Sequence, residues 1–171
     1  MTKIKGMAKL NKAISTELKP FGISKAECGN EFSYDFVDES VSYKIWEDEM
    51  GDKWFNEFVA ERFNYDAQKY SFIISLLHEI GHHNTDDDIG ESVRDFCEKE
   101  KIRIATAYEN ETDYNKKRQL QFQYFNLPDE IMATAWAIDY ATAHPKKIKK
   151  MFENSMKALK EFYNENLDEE C

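Results

Sequence analysis

The chain has 171 residues, enough for one domain with a core that stands without disulfide or metal staples. Its 23 basic against 33 acidic residues give a net charge of −10, which argues against a phosphate backbone as partner and takes direct nucleic-acid binding off the list of expected functions. Cys28, Cys97 and Cys171 stand far apart with no C-x-x-C pair, which is the usage of a reducing compartment and leaves no cysteine cage for zinc.

From Met1 to Lys12, lysines and polar residues interrupt every apolar position, so no signal-peptide core is read there. The longest apolar runs are too short for a bilayer, and the expectation is a cytoplasmic protein without membrane contact. Ile4, Met7, Ala8, Ile14 and Leu18 are spaced for one face of a helix over 3–19, which Pro20 and Gly22 bring to an end. Phe32, Tyr34 and Phe36 alternate with polar residues, Asp38-Glu39-Ser40 supplies a turn, and Val41, Tyr43 and Ile45 alternate again, predicting a β-hairpin over about 31–46. A strand edge near a catalytic centre can pair with an extended peptide, which makes this hairpin a candidate substrate platform. After a loop over 48–52, Trp54, Phe55, Phe58, Val59, Arg62 and Phe63 trace a core helix that Asn64 to Asp66 breaks.

The next helix, over about 68–83, contains the pattern H-E-x-x-H as His78-Glu79-Ile80-Gly81-His82. Phe72, Ile73, Leu76, Leu77 and Ile80 form its apolar stripe, and Ser71, Ser75, His78, Glu79 and His82 fall on roughly the opposite side, away from the buried face. Residues i and i+4 stack one turn apart, so both imidazoles can reach one ion at about 2.0 to 2.1 Å. Glu79 sits beside them without being a ligand, where it can take a proton from a zinc-activated water as that water attacks a carbonyl. His83 lies off the ligand row and is read as a surface or supporting residue.

Asp86-Asp87-Asp88 reads as a solvated acidic turn in preference to a second cation site. Val93, Phe96, Cys97, Ile104 and Tyr108 predict a helix, and Tyr114, Phe122 and Phe125 a weaker one. A metal held by two histidines of one helix needs a third protein ligand from elsewhere, with a fourth position left open. The best candidate is Glu130, on a helix over about 128–143 that Pro128 starts. Ala133, Thr134, Ala137 and Ala141 share its face, and such small residues allow close helix approach, to which Ser71 and Ser75 on the motif helix also contribute. Asp129 and His144 are the competitors. A final amphipathic helix over about 145–165 carries Ile148, Met151, Phe152, Leu159, Phe162 and Tyr163 on one face. Together these elements predict a single α+β domain over 1–171, mostly helical, with a small hairpin or sheet beside the motif helix.

The pairing of His78-Glu79-Ile80-Gly81-His82-His83 with Glu130-x-x-Ala133-x-x-Trp136-Ala137 resembles the zincin metallopeptidases whose third ligand is a glutamate. Among these it is similar to the ImmA/IrrE-type family, small intracellular zincins of mobile elements, phages and stress-response loci. The resemblance covers roughly 71–140, with Trp136 standing where the family usually carries phenylalanine. It implies a zincin-like fold, zinc at His78, His82 and Glu130, Glu79 as general base, and cleavage of an intracellular regulatory protein such as a repressor. Members often carry an added DNA-binding or sensor region, and none is read here.

The first expectation is therefore a zinc-dependent peptidase acting on a protein or peptide. A second donor to the oxyanion is needed, and Tyr108, Tyr114, Tyr140 and His144 are the candidates, with nothing in the sequence to choose among them. The alternative is a regulatory protein that keeps zinc for structure and engages a protein partner. Two histidines and a carboxylate also suit iron oxygenases, although a glutamate directly beside the first ligand favours hydrolysis.

Overall fold

Apolar spacing resolves into seven α-helices and three short strands among the described residues, 5–45 and 52–167, of the computed structural model. Helix α1 (Met7–Leu18) buries Leu10, Ile14 and Leu18, one turn apart. The expected stripe is displaced: Ala8 is exposed and Leu10 takes its place, while residues 3 and 4 of the expected helix lie outside the described residues. Pro20 occupies a 3-10 turn that Gly22 closes at φ 84°, a left-handed conformation natural to glycine.

The sheet contains the expected hairpin and a strand not foreseen. Strand β1 (Lys25–Cys28) pairs in parallel with β3 (Ser40–Tyr43), which pairs antiparallel with β2 (Ser33–Asp35), giving the order β1-β3-β2. Ala26 and Tyr34 both oppose Val41. Helix α1 seals the outer edge of β1: Ala26 N donates to Ser15 Oγ at 2.8 Å, and Cys28 N donates to Asn11 Oδ1 at 3.1 Å. No strand covers the outer edge of β2 among the described residues. The strands are shorter than expected. Asp35 Oδ1 captures the amides of Val37 and Asp38, an Asx turn that puts Phe36 in the connection, and β3 ends before Ile45. Residue 46 of the expected hairpin, and residues 48–51 of the loop after it, lie outside the described residues.

Asp52 caps helix α2 (Lys53–Phe63) by accepting from Phe55 N at 2.9 Å, and α2 buries Phe55, Phe58 and Val59. A 3-10 turn leads into α3 (Ser71–Thr85), the motif helix, and Asp86–Asp88 form another before α4 (Glu91–Asn110). The expected stripe of α4 is corrected: Val93 and Phe96 are largely exposed, and Cys97, Lys101 and Ile104 face inward. Helices α5 (Tyr114–Phe125), α6 (Pro128–Ala143) and α7 (Pro145–Leu167) complete the chain.

The core gathers Ile73, Ile74, Leu76, Leu77 and Ile80 of α3 against Val41 and Tyr43 of the sheet, Phe58 of α2 and Ala137 of α6. As the small-residue face of α6 predicts, the polar side of α3 is covered by neighbouring helices. Ser71, Ser75, His78 and Glu79 are all buried; Ser71 donates to Asn56 Oδ1 of α2 at 2.9 Å, and His78 lies against Phe55 of α2 and Thr134 of α6. The close approach itself falls at Gly81. A Cβ built at Gly81 would fall 2.8 Å from the Cα and the carbonyl carbon of Ala133, so only glycine lets the helices meet there. The result is a mostly helical α+β single domain with a small sheet on one flank. No helix among the described residues is long and apolar enough to cross a membrane.

Candidate metal centre

The close contact at Gly81 brings the first turn of α6 beside the last two turns of α3. Leu127 and Pro128 open α6, as proline suits a first helical turn, and Glu130 follows in that turn, fully buried. Its Oε2 lies 3.0 Å from His78 Nε2, and its Oε1 lies 3.5 Å from His82 Nε2. One ligand atom from each of His78, His82 and Glu130 lies within 4.8 Å of the other two.

The protons around His78 test whether this cluster suits a cation. The Thr134 hydroxyl donates to Glu130 O at 2.7 Å, which commits its only hydrogen. Its oxygen, 3.0 Å from His78 Nδ1, is then the acceptor of an Nδ1–H bond. The lone pair of Nε2 is thereby turned on Glu130 Oε2, one acceptor facing another. Such a contact closes only with a proton shared between the two acceptors or with a metal ion. Glu130 Oε1, by contrast, already has positive charge beside it, the Lys101 ammonium 2.5 Å away as an ion-pair partner. Two imidazole nitrogens and one carboxylate oxygen form a donor set suited to zinc, with iron as the other metal of this chemistry.

The electrostatics of the cluster are those of an interior site. Burial opposes the charge on Glu130, but the neighbouring imidazoles of His78 and His82 prevail and hold its carboxyl well below the ordinary 4.5. Burial likewise opposes charge on His82, and Glu130 reverses it, so His82 stands above its ordinary 6.5. Glu79 goes the other way: burial raises its carboxyl, partly relieved by His78 and His82.

All four motif residues line an open cleft of about 880 Å³. One wall is β2 and the segment before it, with Phe32, Ser33 and Tyr34; another is α4, with Lys101, Ile104 and Tyr108; Tyr124 and Phe125 of α5 close a third side. Tyr34 reaches across to His83, whose Nδ1 lies 2.6 Å from its hydroxyl, so His83 ties β2 to the motif helix. Of the four candidate oxyanion donors, only Tyr108 lines this cleft. Tyr114 is exposed and accepts from Trp54 Nε1 at 3.1 Å. Tyr140 and His144 stack on each other at the far end of α6, where Lys147 donates to the Tyr140 hydroxyl at 2.6 Å. Asp129 is the partner of Lys101 and not of either histidine. Asp86 pairs with Arg94 at 3.1 Å, and among the described residues the aspartate turn joins no metal-ligating cluster.

Sequence reasoning missed Thr134, Lys101 and Tyr124. Thr134 was within reach, since i+4 from Glu130 is the position that shares its face; Lys101 carried a fainter signal, a lysine one turn from Cys97 and from Ile104. No protein-family model, curated protein or solved structure matches the chain.

Proposed function

We propose that this chain is a zinc-dependent peptidase of the zincin kind, akin to the ImmA/IrrE-type family, acting in the cytoplasm on a regulatory protein or other extended peptide. The observation that carries the reading is the convergence of His78, His82 and Glu130, with Glu79 beside them in the wall of one open cleft. Zinc held by the three would supply Lewis acidity, polarising the scissile carbonyl and acidifying a water beside it.

The remaining work falls to the chain's own groups. Glu79 takes a proton from the attacking water and returns it to the departing amine; a carboxyl raised by burial suits both halves of that task. Thr134 fixes His78 in the tautomer that leaves Nε2 unprotonated. Tyr108 and Tyr124 line the cleft, and burial raises the Tyr124 phenol so that it keeps its proton and serves as a donor to the developing oxyanion. The open edge of β2 offers main-chain groups to an extended peptide, with Phe32 and Tyr34 lining the same wall.

The test is the metal content of purified, untagged protein by elemental mass spectrometry, beside H78A, H82A and E130A. The expected result is one zinc per chain in the native protein and little in any variant. A native protein that stays metal-free after zinc supplementation overturns the proposal.

A further inference from the structure

Lys101 is a charged residue on the inward face of α4, in line with Cys97 and Ile104. Its ammonium lies 2.6 Å from Asp129 Oδ2 and 2.5 Å from Glu130 Oε1, and 5.4 Å from the centre of the Tyr124 ring. Asp129 in turn accepts from Glu130 N through Oδ1 at 3.0 Å. One ammonium is thus held between two consecutive carboxylates in the first turn of α6. An apolar side chain would fill this half-buried position at lower desolvation cost, so the lysine calls for an explanation beyond packing.

The two oxygens of Glu130 have different surroundings: Oε2 faces His78 Nε2 at 3.0 Å, whereas Oε1 is 2.5 Å from the Lys101 ammonium and farther, 3.5 Å, from His82 Nε2. A carboxylate with both oxygens free can chelate one ion through both and fill a coordination position that hydrolysis needs open. We propose that Lys101 is a positioning residue that holds Glu130 Oε1 so that only Oε2 serves the metal, keeping one coordination position open at the expense of metal affinity. This rests on the zinc reading above. The ammonium also repels a divalent ion a few ångströms away, so both effects weaken binding in the native protein.

Cobalt(II) substitution reads the coordination directly, because its visible absorption is intense with four ligands and several-fold weaker with five. K101M is expected to bind zinc tighter than the native protein by about tenfold or more, as removal of a nearby unit charge requires, and its cobalt form to show the weaker, five-coordinate spectrum. K101R, which keeps charge and donors, is expected to retain the native spectrum. If K101M does not fold, K101L, which likewise has neither charge nor donor, is read by the same two criteria. A cobalt spectrum unchanged from native, or weaker zinc binding, overturns the inference and makes Lys101 a tie between α4 and α6. A native protein that binds neither metal is a different outcome, because it removes the zinc reading itself.

Discussion

Gly81 of the motif helix rests on the backbone of Ala133, and that contact sets the distance between the two histidines and Glu130. The G81A substitution puts a methyl group where backbone already stands, 2.8 Å from Ala133 Cα, with no flexible side chain to give way. Overpacking of this kind costs about 1–3 kcal/mol. Urea unfolding of the metal-free protein is expected to show that loss, and chelator competition a weaker zinc site, because the helices must part. An unchanged unfolding midpoint would mean that they slide past one another freely.

Thr134 makes a sharper test of the site, since T134V keeps the side chain's shape and removes the acceptor of His78 Nδ1–H. Loss of such a supporting hydrogen bond typically weakens metal binding about 10- to 100-fold. T134S, which retains the hydroxyl, is expected to bind zinc nearly as the native protein does. Equal affinity in T134V would remove Thr134 from the machinery.

The metal-free protein has a defined response to pH. Glu130 titrates below its ordinary 4.5 when folded, so its contribution is present above that value and is lost on acidification through the lower, folded one. His82 titrates above its ordinary 6.5, so its contribution is full below that value and fades as pH rises. Glu79, raised by burial, keeps its contribution below its ordinary 4.5 and loses it as pH rises above that value. The Glu130 and His82 contributions are both full between about pH 4.5 and 6.5, the ordinary values of the two partners, and Glu79 shifts the cluster's greatest stability to the acid end of that window. Urea midpoints of chelator-treated protein should trace that maximum, and E130Q should flatten it; a native profile no different from that of E130Q would contradict the pairing.

Glu79 separates an enzyme from a metal-holding scaffold. E79Q removes the proton carrier and leaves the three ligands in place, so zinc content should hold while cleavage of the biological target is abolished. The uncharged amide also relieves the burial that raises Glu79, so the unfolding midpoint near neutrality should stay level or rise. Retention of the biological effect in a zinc-loaded E79Q protein would favour partner binding over hydrolysis.

Legibility in the sequence followed the range of the interactions. Helices α3, α6 and α7 announce themselves because their apolar spacing is local, and Pro128 and Pro145 mark two starts. Strand β1 does not: Lys-Ala-Glu-Cys has one small buried residue, and its order comes from β3 and from Ser15 and Asn11 of α1. His78 and His82 are paired by helical spacing alone, and a small-residue face pointed to Glu130. Lys101 belongs to the same cluster only because α4 lies across the start of α6, a tertiary fact that no local spacing encodes.

Sealing β1 with two side chains of α1 has an effect that reaches beyond local order. A three-stranded sheet has two borders at which a further strand could join, and in this protein one is already answered from within. Whatever extends the sheet must join at β2, alongside the cleft that holds the histidines. A foreign segment in extended form is thereby directed to the side of the molecule that carries the histidine cleft, and the same asymmetry leaves one border instead of two through which copies of the chain could zip together.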